Sequence, residues 1–149
     1  MSLSLYTHEY FMKEAFKEAR KAFDKDEIPI GAVIVCNNQI IERAYNNTEV
    51  LNDVTAHAEM LAFTAAADYL GGKYLHDCTL YVTLEPCIMC AGASYWTQIS
   101  KLVFGAHDDK RGFSKSNQKI LHPTTIIQGG IMENECRQLL QDFFKKKRN

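Results

Sequence analysis

Two short segments of the sequence contain the residue types that bind a catalytic metal ion. The first has His57 followed two positions later by Glu59, and the second has Cys87 and Cys90 directly after Pro86. Both segments lie where the pattern predicts the start of a helix. Cysteines three positions apart then share nearly the same helix face and can hold one ion. The unpaired N–H groups of a helix start also favour the thiolate form that a metal requires.

The predicted ligands His57, Cys87 and Cys90 are typical of a catalytic zinc site. Three protein ligands leave one position of a tetrahedral zinc open for water, whereas a structural zinc would have a fourth cysteine or histidine. Zinc lowers the pKa of bound water from about 15.7 towards 7, which generates hydroxide near neutral pH. Glu59 is placed to move protons between this water and a leaving group, as a general base and acid.

Each half of this pattern has a simpler interpretation when it is taken alone. An isolated C-x-x-C pair is more often redox-active or structural, and an isolated histidine at a helix start is usually a cap or a core residue. The combined pattern favours a catalytic zinc because the ligand types, the acid/base residue and the helix placement agree.

The other cysteines are expected to have no chemical role. The chain has five cysteines, an odd number, and its N-terminus shows no export signal. A disulfide framework is therefore not expected. Cys36, Cys78 and Cys136 are predicted to be buried.

Helices and strands are predicted in the order αββαβαβ(β)α. Thr7 and Thr55 are the expected caps of the first two helices, and the second helix should stop at Gly71-Gly72. Pro86 should open the third helix, since proline is favoured in the first helical turn. The predicted helices end near residues 23, 70, 98 and 145. The predicted strands are residues 30–36, 39–44, 79–84, 101–106 and 124–128.

This order predicts an α/β protein with a three-layer α/β/α fold. Strands that are joined through helices favour parallel pairing. The five-stranded sheet should therefore be mixed, with one antiparallel hairpin followed by parallel strands.

The sequence resembles the bacterial tRNA-specific adenosine deaminases of the cytidine-deaminase-like superfamily. The similar stretches are EIPIGAV at 27–33, TAHAE at 55–59, LYVTLEPCIMCAGA at 80–93, VFGA at 103–106 and the basic ending that contains FF at 143–144. Because they extend over nearly the whole chain, the resemblance implies a single zinc-dependent deaminase domain over residues 1–149.

The resemblance also implies an activity and an assembly. The implied reaction is hydrolytic deamination of adenosine to inosine at the wobble position of a tRNA, with an arginine tRNA carrying an ACG anticodon as the expected substrate. The implied cofactor is one zinc ion per subunit. The implied assembly is a homodimer in which the third helix lies at the subunit contact.

The resemblance assigns several substrate contacts by position. Asn46 matches an asparagine that hydrogen-bonds the flipped nucleotide, and its amide can donate and accept at once. Ile28 and Pro29 match the wall against which the base packs, and backbone N–H groups near Ala58 would read the base edge. Asp108 matches a position that touches the anticodon loop. A turn-forming role for Asn46 and plain strand entry for Ile28 and Pro29 remain alternatives.

Charge is distributed unevenly along the chain. Residues 1–96 carry 13 acidic and 7 basic side chains, whereas residues 97–149 carry 5 acidic and 10 basic ones. This asymmetry favours a surface that faces a polyanion, although each basic residue alone is an ordinary surface charge. One ring of Phe143 and Phe144 could stack on a splayed base, with Phe143 expected in the core. The candidate contacts to RNA phosphates are Lys110, Arg111, Lys115, Lys119, Lys145, Lys146, Lys147 and Arg148.

Three departures from the family pattern concern the substrate and leave the zinc chemistry unchanged. Val54 stands where proline is common, Tyr95-Trp96 is similar to the free-guanine deaminases, and the loop after Asp109 has fewer glycines and alanines. Two other functions are therefore weighed. One is a deaminase of a free base or nucleoside such as guanine or cytosine, and the other is a non-catalytic RNA-binding protein in which zinc is only structural.

Membrane insertion and export are not expected. No apolar run approaches the roughly 20 residues that cross a bilayer. The first nine residues are polar and lack the apolar region of a signal peptide. We therefore expect a cytoplasmic location.

Overall fold

The architecture is a five-stranded sheet with helices on both faces. A computed structural model of the chain describes residues 6–148. Within them, no helix combines the length and the apolar composition that a bilayer crossing requires. The predicted element order and three layers are confirmed. The strands are β1 Gly31–Cys36, β2 Gln39–Tyr45, β3 Cys78–Leu84, β4 Lys101–Ala106 and β5 Ile126–Gln128, and the helices are α1 His8–Asp24, α2 Ala58–Leu70, α3 Ile88–Thr97 and α4 Glu133–Arg148.

The strand order corrects one prediction about the sheet. The order is β2-β1-β3-β4-β5, and β1 pairs antiparallel with both β2 and β3. Only the β3–β4 and β4–β5 pairs are parallel. The expectation of one antiparallel hairpin followed by parallel strands is therefore wrong at β1–β3. The connection through α2 makes β3 run in the same direction as β2, but β3 lies on the other side of β1, which runs the opposite way.

The helices bury the two faces of the sheet separately. Side chains of a strand point alternately to opposite faces, so that Val33 of β1 packs under Met12 of α1. Its neighbour Ile34 lies in the other core cluster, with Ala62 and Ala66 of α2. The zinc-binding motifs belong to this second face.

The helix starts differ from the prediction in a way that matters for the site. Thr7 caps α1, and its side chain accepts the N–H of Tyr10 at 3.0 Å. The N-cap of α2 is His57 rather than Thr55, and the N-cap of α3 is Cys87. Neither residue uses its side chain for a capping hydrogen bond. At these two N-cap positions, the potential metal ligands His57 and Cys87 therefore stand in place of ordinary capping residues.

Two of the cysteines form a disulfide that the sequence analysis did not expect. Cys36 and Cys78 are direct partners in the β1–β3 register, and their sulfurs are bonded. Cys78 and Cys136 are buried as predicted, whereas Cys36 is half-buried. The pair could not be recognised from spacing because its proximity depends on the antiparallel placement of β3 beside β1.

The contact between α1 and β1 requires glycine at position 31. A Cβ atom on Gly31 would lie 2.2 Å from the carbonyl oxygen of Ala15 and 2.3 Å from the nitrogen of Ala19. Both are helix backbone atoms, so α1 itself would have to move. We expect Gly31→Ala to lower the free energy of unfolding by about 2–4 kcal/mol, measured by urea denaturation.

Gly72→Ala is the matched control for this substitution. A Cβ atom on Gly72 meets nothing within 4 Å, so its effect should stay within about 0.5 kcal/mol. An equal loss of stability in the two variants would contradict the close packing of α1 on β1.

Candidate active site

Three potential metal ligands converge from the starts of two helices. His57 and Cys87 are the N-caps of α2 and α3, and Cys90 lies in the first turn of α3. The Nδ1 atom of His57 is 3.7 Å from the Sγ of Cys87 and 3.5 Å from the Sγ of Cys90. All three ligand atoms lie within 4.8 Å of one another. The predicted ligands are thus positioned to bind one metal ion.

These separations fit a zinc ion. With Zn–S bonds of about 2.3 Å and a Zn–N bond of about 2.0–2.1 Å, tetrahedral geometry places nitrogen and sulfur about 3.6 Å apart. The observed distances lie on either side of this value. In the described part of the chain, no fourth histidine, cysteine or acidic residue joins the group. One coordination position is therefore left for a ligand that is not part of the protein.

The pKa values of the three potential ligands are shifted in different directions. Hydrogen bonding from Cys90 lowers the pKa of Cys87 to about 4, against the opposing effect of burial, and the bond from His57 adds to this. Hydrogen bonding to Cys87 raises the pKa of His57 and of Cys90. Because zinc takes thiolates and a neutral imidazole, its binding must release protons from this group.

Glu59 lies beside the ligands without belonging to their group. It is in the first turn of α2 and only 4% of it is exposed. Burial raises the pKa of its carboxyl to about 7, so that Glu59 can take up and release a proton near neutral pH. A divalent cation on the neighbouring ligands would favour the carboxylate form.

A cavity of about 870 Å³ opens over His57, Glu59 and Cys87. The volume suits a ligand of the size of a nucleoside rather than an ion alone. The remaining lining comes from β-strand ends, two loops and α4, and comprises Ile28, Ile30, Asn46, Thr48, Ala58, Leu84, Glu85, Ala106, His107, Asp108, Asp109, Lys110, Arg111, Arg137, Leu140, Gln141 and Phe144.

Most of the residues assigned to the substrate by resemblance border this cavity. Asn46 lines it, yet its amide is used locally, because Nδ2 donates to the Ile28 carbonyl at 3.2 Å and Oδ1 accepts the N–H of Thr48 at 3.4 Å. Ile28 and Ala58 also line the cavity. Pro29 is fully buried and is not among the lining residues. Substrate contact by any of these residues stays a prediction.

The predicted RNA-contacting residues fall into two sets. Asp108, Lys110 and Arg111 line the cavity, and the Asp108 carboxylate accepts the N–H groups of the other two at 3.1 and 3.0 Å. The second set is exposed outside the cavity, with one ion pair between Lys147 and Asp26. Its members are Lys115, Lys119, Lys145, Lys146, Lys147 and Arg148.

The two phenylalanines near the C-terminus separate as expected. Phe143 is buried, with its ring edge-on to Phe23 at a centroid distance of 5.8 Å. Phe144 is 42% exposed and lines the cavity. The prediction that Phe143 belongs to the core is confirmed, and Phe144 is the ring that is available for stacking.

The contribution of α4 to the cavity was not predicted from the sequence. The lining residues Arg137, Leu140, Gln141 and Phe144 have the spacing of one helix face. That spacing is visible in the sequence, but nothing in it indicates which element the face contacts. His107 was also missed; its ring bonds to Glu133 at 2.9 Å, and Glu133 holds Arg137 at 2.5 Å.

Comparisons with known proteins agree with this geometry. Residues 5–106 match the family model of the cytidine and deoxycytidylate deaminase zinc-binding region. A tRNA-specific adenosine deaminase of Aquifex aeolicus is 48% identical over 145 residues, which are 95% of this chain and 96% of that protein.

Solved structures with this fold fall into more than one substrate class. One, from a study of A-to-I editing by tRNA:A34 deaminases at the wobble position of transfer RNA, has a TM-score of 0.82 and 42% identity, covering 87% of this chain and 98% of its own. A guanine deaminase of Bacillus subtilis has a TM-score of 0.65 and 42% identity, covering 68% of this chain and 65% of its own.

The ligand geometry predicts the metal content of defined variants. The wild-type chain should bind one zinc ion, and Cys87→Ala or Cys90→Ala should weaken zinc binding at least about 100-fold, because loss of a direct ligand should cost more than loss of its supporting contacts. Affinity is measured by competition with a chromogenic chelator. Cys136→Ala, which removes a buried thiol outside the group, is the control and should bind zinc like the wild type. Unchanged zinc affinity in the Cys87 or Cys90 variant would contradict the assigned site.

Proposed function

We propose an activity for this chain from one premise: it belongs to the cytidine and deoxycytidylate deaminase family, among the tRNA-specific adenosine deaminases. The proposed reaction is hydrolysis of adenosine to inosine in a tRNA, with release of ammonia. We place the reacting adenosine at the wobble position, and propose an arginine tRNA with an ACG anticodon as substrate. The carrying observation is that a three-ligand metal site lies at one open cavity, which two of its ligands, His57 and Cys87, line together with the buried Glu59.

The chain's own residues divide the chemical work. His57, Cys87 and Cys90 would hold zinc, which when bound lowers the pKa of water and supplies the nucleophile. Glu59 takes a proton from the attacking water at its carboxylate and delivers a proton to the amine that leaves from C6 of the purine. The water oxygen first bonds to this carbon, and the carbon–nitrogen bond then breaks as the protonated amine leaves as ammonia. The burial of Glu59 excludes bulk water, which would otherwise compete for these protons.

The surroundings of the cavity support a substrate that is part of a nucleic acid. Lys110, Arg111 and the ring of Phe144 all line the cavity. A single-stranded loop offers an unpaired base for the cavity, a neighbouring base for stacking and phosphates for the cations. Because an anticodon-loop base is already unpaired, little energy is needed to flip it into the cavity. Asn46 and the N–H of Ala58 are the proposed contacts to the base, with Ile28 and Pro29 behind it.

A homodimer and a cytoplasmic location complete the proposal. The start and end of α3 expose Ile88, Tyr95 and Trp96, with Trp96 at 75% exposure. These positions share one helix face by spacing, and an exposed apolar face of this kind suits an isologous contact with a second copy. A tRNA-modifying activity would be carried out where tRNA is found, in the cytoplasm.

Deamination of a free base is the second candidate function. The observation that favours it is the 42% identity with a guanine deaminase, together with the Tyr95-Trp96 pair that is similar to that class. The chemistry would be the same, because hydrolytic removal of an amino group from a base needs the same metal ligands and the same acid–base residue. Only the substrate distinguishes the two candidates.

The substrate proposal predicts which amino group is lost. Zinc-loaded protein should form inosine in an arginine tRNA with an ACG anticodon, detected by mass spectrometry of the nucleosides. A tRNA with guanosine in place of the wobble adenosine is the control and should give no inosine. Ammonia from free guanine, cytosine, cytidine or adenine, beside unmodified tRNA, would contradict the tRNA proposal and favour the second candidate.

The role of Glu59 predicts a separation of metal binding from turnover. Glu59→Gln keeps the shape of the side chain and removes its ability to accept a proton, so kcat should fall about 10²–10⁴-fold. Zinc content should stay at one ion per chain, measured on the same preparation. Glu135→Gln, on the exposed side of α4, should keep the wild-type kcat. Full turnover by Glu59→Gln would contradict the acid–base assignment. If the zinc were purely structural, the wild type itself would be inactive.

A further inference from the structure

Two glutamates outside the catalytic group are buried at the base of the cavity walls. Glu27 is 0% exposed and lies between α1 and β1, and Glu85 is 2% exposed and lies between β3 and Cys87. In the described part of the chain, neither has a lysine, arginine or histidine within ion-pair distance. A buried carboxylate needs other partners, since burial of an uncompensated charge is costly.

The partners of both carboxylates are backbone N–H groups of surface loops. The two oxygens of Glu27 accept the N–H groups of Glu49 at 3.0 Å and Val50 at 2.7 Å. The two oxygens of Glu85 accept the N–H groups of Asp108 and Ser114, each at 3.0 Å. Hydrogen bonds to a charged acceptor are the stronger kind. Each glutamate therefore fixes one loop at two points.

Both loops contribute residues to the lining of the cavity. The first, residues 46–53, contributes Asn46 and Thr48 to the lining, and the second, residues 107–115, contributes Asp108, Lys110 and Arg111. The side chains of Glu49, Val50 and Ser114 are exposed, so they offer little packing to hold the loops. Phe113 of the second loop packs against the core, and the buried carboxylates anchor the loop residues whose side chains do not pack.

The second loop is also tied by backbone contacts to the segment that carries a metal ligand. The N–H of Phe113 donates to the carbonyl of Pro86 at 2.9 Å, and Gly112 pairs with Cys87 in an isolated β-bridge. A Cβ atom on Gly112 would lie 2.3 Å from the carboxyl carbon of Glu85. The loop thus lies directly on the carboxylate, and only glycine permits this contact.

We propose that Glu27 and Glu85 are positioning residues that hold the two loops of the cavity lining at the spacing the substrate requires. They act through the loops and touch neither the metal ligands' donor atoms nor the proposed reacting carbon. Their removal should therefore weaken substrate binding more than the chemical step. The part of this proposal that concerns substrate rests on the proposed function, whereas the anchoring of the loops does not.

Hydrogen exchange tests the anchoring without any substrate. In the wild type, the N–H groups of Glu49, Val50, Asp108 and Ser114 should be protected although they lie in surface loops. A glutamine can replace only one of the two accepting oxygens, because its other atom is an NH₂ donor. Exchange at the two N–H groups of the matching loop should therefore become at least about 10-fold faster in Glu27→Gln and in Glu85→Gln. Unprotected amides in the wild type, or unchanged exchange in the variants, would overturn the proposal.

Steady-state kinetics on the substrate that the wild type deaminates tests the consequence. Glu27→Gln and Glu85→Gln should raise KM about 10-fold, with kcat within about 3-fold and with one zinc ion per chain. Glu18→Gln is the matched control, because Glu18 is also buried but pairs with Lys21 at 2.8 Å on α1 and does not line the cavity. Glu18→Gln should leave KM unchanged even if it lowers the melting temperature.

The outcomes separate the two proposals. An unchanged KM in both cavity variants, or an equal rise in Glu18→Gln, would reduce Glu27 and Glu85 to a structural role and overturn the inference. An inactive wild type would contradict the proposed function alone, since the exchange measurement would still decide whether the carboxylates anchor the loops.

Discussion

The site depends on two helices whose N-termini converge and whose N-cap positions are occupied by metal ligands. His57 and Cys87 are separated by 30 positions in the chain, and each is the last non-helical residue before a helix. A helix start offers N–H groups without intrahelical acceptors and a positive end of the dipole, which favour thiolates and other anions nearby. The packing of α2 and α3 against the sheet therefore determines the ligand geometry.

The cavity also depends on buried carboxylates. Glu27 and Glu85 have both oxygens bonded to backbone N–H groups, and they are used to hold loops. Glu59 is buried next to thiols and an imidazole, and the raised pKa of its carboxyl suits a residue that exchanges a proton. The same residue type is thus suited to a positioning or a chemical role according to its partners.

The local features of this protein were predictable from the sequence, whereas its non-local contacts were not. The identity of the metal-ligand group, the strand at residues 101–106 and the glycine stop of α2 were each predictable from short motifs, whereas the role of Glu59 stays a prediction. The antiparallel β1–β3 pair and the Cys36–Cys78 disulfide depend on strand placement, which periodicity does not encode. The α4 residues that line the cavity have the spacing of one helix face, but tertiary packing determines which element that face contacts. The loop contacts of Glu27 and Glu85 were not predicted, because the N–H groups that these carboxylates accept lie 22 to 29 positions away.

A zinc titration of the wild-type protein tests the central claim most directly. Protein from which zinc has been removed by a chelator would be supplied with increasing zinc, and inosine formed in the ACG tRNA would be measured at each step. The three-ligand site predicts no inosine without zinc and a linear rise that stops at one equivalent per chain. Turnover without zinc, or a rise that continues to two equivalents, would contradict a single catalytic zinc held by His57, Cys87 and Cys90.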